Sequence, residues 1–226
     1  MPHHLAIYDL DKTITRRPTW TPFLIAWARA HPARAPGLAA SLVPTLGYAA
    51  RAIDRARLKE RTHALVIGRR VPVAALAMAA ERFADALVAD GVHARALDRI
   101  ARDRQDGARL VLATASYAFY VDAIAERLGF DAVVATRATM RDGIVEARIH
   151  GENCYGAGKR RMVEAWLARE GIARADATIR FYSDHVSDAP MFDLADEAVA
   201  VNAHGPLRAL AAARGWRMED WLNKKS

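Results

Sequence analysis

The chain has 226 residues, of which 52% are hydrophobic and 26% are charged, a composition that excludes an intrinsically disordered protein. A single cysteine, Cys154, excludes a disulfide-stapled secreted domain and favours a reducing compartment. The net charge of +7 would suit an anionic partner, but the arginines are scattered and no basic block typical of nucleic-acid binding occurs. We therefore expect no nucleic-acid partner.

The first residues lack the basic and long apolar segments of a signal peptide, which predicts a cytoplasmic protein. An uncharged stretch at 35–50 is shorter than the ~20 residues that a membrane span needs, and it contains Pro36 and Pro44. It predicts buried or interfacial helices and no stable membrane insertion, with contact to a membrane surface or a partner left open. No signal in the sequence indicates an oligomeric state.

Five short apolar runs, most of them rich in Val and Ile, predict buried parallel strands. In chain order they occupy residues 5–9, 109–114, 132–136, 179–183 and 198–201. Helical patterns at 120–128 and 159–169, which end at Gly129 and Gly171, separate several of these runs. Strands that alternate with helices predict an α/β fold with a Rossmann-like, mostly parallel sheet flanked by helices.

A hairpin is predicted at 140–148, because Asp142-Gly143 lies there between two short runs. The segment between the first two predicted strands has a different pattern. Residues 16–93 contain no convincing strand and show Ala, Leu and Arg at helical spacing. Proline and glycine residues interrupt this pattern at five positions: Pro32, Pro36, Pro44, Gly68 and Pro72. The pattern predicts an inserted all-helical cap of about four helices at 16–93, on a Rossmann-like core formed by residues 1–15 and 94–226.

Three of the predicted strands end in polar residues or are followed by them, and in a parallel sheet such ends share one edge where ligands bind. These residues are Asp9 and Asp11, Thr114, and Ser183 with Asp184. Asp188 follows Asp184 by four residues and would face the same side if a helix begins there. Lys159 is expected to lie nearby. The sequence thus predicts four carboxylates, a hydroxyl and an amine at one edge of the sheet.

Such crowding of carboxylates is costly. Two carboxylates about 4 Å apart at an effective dielectric constant of about 20 repel each other by about 4 kcal/mol. Four together require protonation or a bound cation. Oxygen ligands without His or Cys suit a hard divalent ion, and Mg²⁺ is favoured where phosphate shares the coordination shell. Asp9 and Asp11 are therefore interpreted as part of a metal-and-phosphate site.

Four segments, in this order along the chain, carry a resemblance to a known family: DLDKTIT at 9–15, LVLATAS at 110–116, Lys159, and SDHVSDAP at 183–190. They resemble the four motifs of the haloacid dehalogenase superfamily of phosphohydrolases. The helical insertion resembles the C1-type cap of subfamily IB, the phosphoserine-phosphatase-like branch. HGENCYGAGK at 150–159 and VNAHGPLRALAAARGW at 201–216 are also similar to that branch. The resemblance implies a Mg²⁺-dependent phosphomonoester hydrolase that forms an aspartyl-phosphate on a small phosphorylated metabolite.

The resemblance also implies residue roles. Asp9 would be the nucleophile, and Asp11 the general acid and base; their spacing would place both on one face of a strand. The metal would bind the Asp9 side chain, the Asp11 carbonyl and Asp184, with Asp188 acting through water or orienting Lys159.

Phosphoryl oxygens would be held by four groups: the Thr114 hydroxyl, the backbone N–H groups of Leu10 and Ala115, and Lys159. These groups would position the phosphoryl group and stabilise its charge, which is most of the catalysis that phosphoryl transfer requires.

Selectivity in this branch resides in the cap. Phosphoserine phosphatases of the branch carry a glutamate shortly after the first motif, whereas the corresponding stretch here, TRRPTWTPF at 15–23, has no acid. This favours a substrate larger or more anionic than phosphoserine. The candidate substrate contacts, each with an ordinary surface position as the alternative, are Arg16, Arg17, Trp20, Arg57, Lys59 and His185.

Three alternatives stay open on the sequence. The first is a phosphotransferase that uses the same intermediate, and the second is a binding or regulatory protein that keeps the fold without turnover. The third concerns the substrate, which would be phosphoserine or histidinol phosphate.

Overall fold

Eight strands form one sheet in the computed structural model, which describes residues 3–222. In chain order they are β1 His3–Tyr8, β2 Arg70–Pro72, β3 Arg109–Tyr117, β4 Ala132–Arg141, β5 Ile144–His150, β6 Ala177–Ser183, β7 Glu197–Val201 and β8 Arg217–Glu219. Their order across the sheet is β2-β5-β4-β3-β1-β6-β7-β8. The six strands from β4 to β8 in this order pair in parallel, whereas β5 is antiparallel to both of its neighbours.

Helices cover both faces of the sheet. In the described part of the chain the α-helices are α1 Trp20–Ala30, α2 Pro36–Ala40, α3 Leu42–Ala49, α4 Arg55–Thr62, α5 Val73–Asp90, α6 Ala94–Gln105, α7 Ala118–Leu128, α8 Ala157–Arg169, α9 Ala189–Phe192 and α10 Gly205–Arg214. Side chains of a strand alternate between faces, so Ala6 and Tyr8 of β1 join one hydrophobic core and Leu5 and Ile7 join the other. Helices α1, α5, α6 and α7 contribute to the first core, and α8, α9 and α10 contribute to the second.

The strongly patterned parts of the sequence fold as predicted. All five predicted strands are present as β1, β3, β4, β6 and β7, and both predicted helices are present as α7 and α8. Gly129 ends α7 with φ 74°, a left-handed conformation that glycine adopts without strain. Asp142 and Gly143 have φ 50° and 72° between β4 and β5. Two consecutive positive φ values give the tight hairpin that the sequence predicts.

The insertion differs from its prediction in two respects. It contains five α-helices, α1 to α5, and it also contains the strand β2, which pairs with β5. The expectation of a segment without strands is therefore wrong at 70–72. Three residues are too few for a period-two pattern, and only Val71 is buried while Arg70 and Pro72 are exposed. Proline is tolerated here because an edge strand leaves one side of its backbone unpaired.

The two crossings between the core and the insertion lie side by side. Thr15 and Val92 form an isolated antiparallel bridge, the Arg16 N–H donates to the Gly91 carbonyl at 2.8 Å, and the His93 N–H donates to the Ile14 carbonyl at 3.0 Å. These contacts lie next to the boundaries predicted near 15 and 93, and the division into cap and core stays a prediction. Within residues 3–222, no helix is both long enough and apolar enough to cross a lipid bilayer.

Candidate active site

The carboxyl ends of three adjacent central strands converge on a cleft of about 170 Å³. β1 lies between β3 and β6, so Asp9 after β1, Thr114 in β3 and Asp184 after β6 meet at this edge. The cleft is lined by Asp9, Asp11, Lys12, Pro18, Arg55, Thr114, Ala115, Tyr155, Lys159, Asp184, His185, Ser187 and Asp188. The structure thus brings together the predicted acids, hydroxyl and amine.

A buried lysine bridges two of the acids. Lys159 Nζ lies 2.8 Å from Asp9 Oδ1 and 2.6 Å from Asp188 Oδ2, and all three side chains are buried. Lys159 is the third residue of α8, and its approach depends on Gly158, where an added Cβ would lie 2.6 Å from the Asn153 carbonyl oxygen. A larger residue at Gly158 would push α8, and with it the ammonium, away from the carboxylates.

Burial and charge shift the pKa values of this pair in the same direction. Burial raises the pKa of Asp9 to about 7; Lys159 opposes this rise, whereas Asp188 and Asp184 add to it. Burial acts against the Lys159 ammonium, but the charges of Asp188 and Asp9 outweigh it and raise the lysine pKa. Lys159 is therefore a permanent cation that offsets part of the repulsion among the acids.

Asp11 reaches the cleft from a turn and not from the strand. β1 ends at Tyr8, and Leu10–Ile14 form an irregular, kinked turn in which Asp11 is extended and Lys12 has φ 64°. The expectation that Asp9 and Asp11 share a face of one strand is therefore wrong. Asp11 Oδ1 accepts hydrogen bonds of 2.7 Å from both the backbone N–H and the hydroxyl of Thr19. Asp11 Oδ2 accepts a bond of 2.9 Å from Ser116, so both oxygens are oriented.

Thr13 connects the acids that follow two strands and was missed as a site residue, although it lies within the first motif, DLDKTIT. Its hydroxyl lies 3.2 Å from Asp9 Oδ2 and 3.4 Å from Asp184 Oδ1. It also accepts a hydrogen bond of 3.0 Å from the Asp184 backbone N–H. This buried hydroxyl fixes the separation of the two carboxylates.

A second support lies in the first hydrophobic core, one residue before Asp9 and two residues before Asp184. The hydroxyls of Tyr8 and Tyr182 donate to the same oxygen of Asp103 in α6, at 2.5 and 2.8 Å, and the two rings stack 4.3 Å apart. Asp103 is fully buried and also pairs with Arg180 at 2.6 Å. The ends of β1 and β6 are therefore tied to one carboxylate.

Asp188 is brought back toward the cleft by a single helical turn, Val186–Asp188, after β6. Its Oδ2 accepts hydrogen bonds from Lys159 and, at 2.7 Å, from Ser183. Its Oδ1 is buried and has no partner within residues 3–222. His185, in the same loop, is exposed at the cleft and its Nδ1 lies 2.8 Å from the Ser187 hydroxyl.

The predicted phosphate-binding groups of Thr114, Ala115 and Leu10 lie in two segments, β3 and the turn after β1. Thr114 is buried in the cleft wall with Ala115 beside it, and its hydroxyl oxygen accepts a bond of 3.2 Å from the Ser116 N–H. Leu10 lies between the two acids in sequence, and its side chain is fully buried in the first hydrophobic core. Its contribution would therefore come from the backbone alone.

Lys59 of α4 joins the insertion to the core behind the cleft. Its Nζ donates to Asn153 Oδ1 at 2.6 Å, to Thr136 Oγ1 at 3.3 Å and to the Ala115 carbonyl. Burial, with the nearby charge of Arg55, lowers the pKa of Lys59 to about 7. Its amine contacts protein oxygens and does not line the cleft.

The other predicted substrate contacts are mostly elsewhere. Arg16, Arg17 and Arg57 are exposed outside the cleft lining. Trp20 is half-buried, its Nε1 donates to Thr62 Oγ1 at 3.1 Å, and its ring lies 5.2 Å from that of Tyr117. Among the predicted contacts, His185 does line the cleft.

Arg55 and Tyr155 line the cleft and were not predicted. The Arg55 guanidinium lies 4.5 Å from the centre of the Tyr155 ring. The helix start could have identified Arg55, because Asp54 caps α4 by accepting a bond from the Arg57 N–H at 2.7 Å. An N-cap at Asp54 places Arg55 and Arg57 on different sides of the first turn.

The donor set fits a magnesium ion with a small number of protein ligands. Within residues 3–222, no three His, Cys, Asp or Glu side chains are arranged to hold a metal. The predicted ligands are two carboxylates, Asp9 and Asp184, and the Asp11 carbonyl, and Mg²⁺ commonly keeps several waters beside one or two carboxylates. The buried, unpartnered Asp188 Oδ1 is an acceptor suited to such a water. When ionised, Asp9, Asp184 and Asp188 carry three negative charges, and Lys159 offsets one of them. A divalent cation would neutralise the remaining two.

These features define a class of protein, namely an α/β fold with a carboxylate-rich cleft and one buried lysine at the carboxyl ends of parallel strands. Residues 6–193 match the family model of the haloacid dehalogenase-like hydrolases. Because the match covers most of the sequence, the chain belongs to this family.

Some similar proteins of known sequence carry phosphatase names, and others do not. Phosphoserine phosphatase SerB1 of Mycobacterium tuberculosis is 33% identical over 168 residues, 74% of this chain and 53% of the relative. The Streptomyces azureus protein called inhibition of morphological differentiation protein is 36% identical over 120 residues, 51% of this chain and 41% of that protein. The chain spans about half the length of the curated relatives it matches. The predicted membership of the phosphoserine-phosphatase-like type is confirmed.

Solved structures confirm the fold class. A protein of unknown function from Bordetella pertussis Tohama I has a TM-score of 0.87 and 29% identity, covering 98% of this chain and 100% of that one. A phospho-aspartyl intermediate analogue of phosphoserine phosphatase has a TM-score of 0.63 and 18% identity, covering 100% of this chain and 96% of that one. The second likeness, at its low identity, shows the fold alone.

Proposed function

We propose that the chain is a phosphatase that hydrolyses a small phosphomonoester through an aspartyl-phosphate, with Mg²⁺ as cofactor. The observation that carries this proposal is the buried Asp9 carboxylate, held 2.8 Å from Lys159 at the wall of an acidic cleft. A carboxylate fixed beside a permanent cation is a positioned nucleophile. The family membership supports the same reaction class.

The reaction would proceed in two displacements at phosphorus. An Asp9 oxygen attacks, an acyl-phosphate bond forms, and the bond from phosphorus to the ester oxygen breaks. Asp11, oriented by Thr19 and Ser116, gives its proton to the leaving oxygen. Asp11 then takes a proton from the water that attacks phosphorus, and phosphate and the free Asp9 carboxylate result.

The remaining groups would hold the phosphoryl oxygens. The Thr114 hydroxyl and the N–H groups of Leu10 and Ala115 are proposed donors, and Lys159 offsets the charge of the transferred group. When bound through Asp9, the Asp11 carbonyl and Asp184, Mg²⁺ would supply further charge stabilisation. Asp188 would orient Lys159 and accept from a water.

The rim of the cleft suggests the substrate class. Pro18 and Arg55 are the contributions of the insertion to the lining, and Arg55 stacks on Tyr155. A guanidinium on an aromatic ring suits a second anionic or planar group of the substrate. Histidinol phosphate offers a planar ring. Phosphoserine is a second candidate, because a relative 33% identical to this chain carries that name.

We also propose that 16–93 is a cap on a core of 1–15 and 94–226. The paired crossings at Thr15 and Val92 support this division. Phe83 of α5 packs against Tyr120 of α7, so the proposed cap contacts the core along α5.

Hydrolysis of p-nitrophenyl phosphate with and without Mg²⁺ tests the proposal. Asp9→Asn should lower kcat by about 10³-fold or more, because an amide does not form the acyl-phosphate. Asp85→Asn, which alters an exposed ion pair with Arg127, is the matched control and should stay within about twofold.

The physiological substrate is then sought with phosphoserine, histidinol phosphate, sugar phosphates, amino-alcohol phosphates and lysophospholipids. Absence of Mg²⁺-dependent phosphate release across this panel would overturn the proposal in favour of a binding protein. Faster product formation on addition of alcohols, with the phosphoryl group recovered on the alcohol, would identify a phosphotransferase.

A further inference from the structure

The positive charge of the protein is concentrated in one stretch of the insertion. Residues 16–72 contain 11 of the 33 Lys and Arg residues but only 2 of the 26 Asp and Glu residues. This stretch therefore carries a net charge of +9, and the remainder of the chain carries −2. The arginines are spread along the sequence, so this imbalance becomes visible only when the Asp and Glu residues are counted as well.

An uncharged segment interrupts the basic stretch. Residues 35–50, here named the apolar tip, contain α2 and α3. Leu42, Val43 and Leu46 of α3 are 62%, 73% and 69% exposed. Within residues 3–222, these are three of the four most exposed large hydrophobic side chains. Their spacing of one, three and four residues puts them on one side of α3, whereas Pro44 is buried on the other.

Arginines flank the apolar tip on both sides in the sequence. Arg29 and Arg34 precede it, and Arg51, Arg55, Arg57 and Arg61 follow it. All six are exposed, and within residues 3–222 none of them forms an ion pair with a carboxylate. Arg55 stacks on the Tyr155 ring, but the charges of all six arginines are left without a carboxylate partner in the described part of the chain, and the apolar side of α3 is left exposed.

A second copy of the chain or an anionic lipid bilayer could cover the apolar tip, and the charge of the flanking arginines distinguishes between these two surfaces. In a symmetric dimer the same patch meets itself, so a second copy would bring the flanking arginines of both chains together. An anionic bilayer instead accepts exposed apolar side chains at its headgroup boundary and attracts basic residues beside them. Contiguous exposed apolar surface rimmed by polar groups is typical of such interaction sites.

We infer that the apolar tip docks the protein on an anionic phospholipid surface, with Leu42, Val43 and Leu46 entering the headgroup boundary and the flanking arginines contacting the lipid phosphates. α3 has eight residues and is thus about 12 Å long, so it lies on the bilayer and does not cross it. Arg55 flanks the tip and also lines the cleft, which links the docked surface to the candidate active site.

Co-sedimentation of the full chain with vesicles tests the inference without any phosphatase substrate, so its result is separable from that of the proposed function. The vesicles are phosphatidylcholine alone, or phosphatidylcholine with 30% phosphatidylglycerol, at about 0.1 M salt. We expect binding to the anionic vesicles to be about tenfold tighter or more, and to weaken at about 0.5 M salt.

Two sets of variants separate the apolar and the basic contributions. Leu42→Ser, Val43→Ser and Leu46→Ser together should weaken binding about tenfold or more. Met78→Ser, Leu97→Ser and Met140→Ser, which remove three exposed apolar side chains elsewhere, should leave it within about twofold. Arg29→Gln, Arg51→Gln and Arg57→Gln should weaken binding to anionic vesicles about tenfold. Arg141→Gln, Arg148→Gln and Arg169→Gln, with the same loss of charge, should weaken it much less.

Equal binding to both vesicle types, or equal binding of the two serine variants, overturns the inference. Sedimentation velocity without vesicles identifies the alternative occupant. A second copy covers the tip if the wild-type protein self-associates at micromolar concentration and does not bind vesicles. In that case the combined Leu42, Val43 and Leu46 variant should be monomeric.

Discussion

At the edge of the sheet, the Lys159 side chain is 2% exposed and its ammonium lies within 3 Å of two buried carboxylates. The six arginines that flank the apolar tip in the sequence are instead exposed, and within residues 3–222 none of them has a carboxylate partner. In the first region the charges are paired inside the molecule. In the second, the arginine charges and the apolar side chains are exposed and available to a partner outside the molecule. A buried, paired group cannot be removed without a cost to folding, but an exposed, unpaired group can. Mutations at the sheet edge should therefore lower stability much more than mutations at the apolar tip.

The largest effect is expected at the sheet edge. Lys159→Met should lower the free energy of unfolding by about 3–5 kcal/mol, because it leaves Asp9 and Asp188 buried without their counter-charge. Urea denaturation at pH 7.5 measures the change. Arg160→Met, at the next position of α8 in an exposed pair with Glu164, is the control and should change stability by less than about 1 kcal/mol.

A second substitution sharpens this result. Asp188→Asn in the Lys159→Met background removes one of the uncompensated charges and should recover part of the lost stability. If the single variant loses less than about 1 kcal/mol, the acids around Lys159 are neutral in the folded protein and the contrast between the two regions is much smaller.

An intermediate effect is expected at Lys59, which joins the two parts of the chain. Its pKa is about 7 in the folded protein, against 10.5 for the unperturbed side chain. Between these values the unfolded chain binds a proton that the folded protein does not, so stability should rise with pH. Relative to Lys59→Met, the wild-type free energy of unfolding should increase by roughly 2 kcal/mol from pH 7 to pH 9.

The comparison with Lys59→Met cancels the other groups that titrate over this range, and urea denaturation at pH 7, 8 and 9 provides the measurement. A constant difference between the two proteins would mean that the bonds to Asn153, Thr136 and Ala115 keep the amine protonated throughout.

The smallest effect is expected at the apolar tip. The combined Leu42→Ser, Val43→Ser and Leu46→Ser variant should unfold within about 1 kcal/mol of the wild type, because exposed side chains contribute little to the folded state. Hydrolysis of p-nitrophenyl phosphate, a soluble substrate, should stay within about twofold. Loss of more than about 2 kcal/mol in thermal or urea unfolding would show that these residues pack within the fold.

Local patterns were sufficient for most of the core. Five strands, α7, α8 and the Asp142-Gly143 hairpin each carry their own signal in consecutive residues, namely apolar runs, helical periodicity and a tight-turn pair. β2 carries no such signal because its three residues gain their strand conformation from pairing with β5. That contact is set by the tertiary fold and is invisible in a short window of sequence.

The candidate site was predictable to the extent that strand ends converge. The sequence places Asp9, Thr114 and Asp184 at neighbouring strand ends, and the structure brings them into one cleft; their catalytic roles remain predictions. The route of Asp11 into the cleft was not predictable, because Lys12 adopts a left-handed conformation without the glycine that usually marks it. Arg55 was missed because the choice between neighbouring arginines depends on the phase of a short helix.

The two tyrosines that share the Asp103 carboxylate have a consequence for how this sequence can diverge. Each tyrosine lies one or two positions before an acid of the cleft, so a change in either ring shifts its own strand end relative to the other. Replacing Asp103 alone would leave two buried hydroxyls without an acceptor, and replacing one tyrosine would leave a single hydroxyl donor on the oxygen that both now share. Tyr8, Tyr182 and Asp103 should thus be inherited as a set, and descendants that lose one of them should have lost or replaced all three.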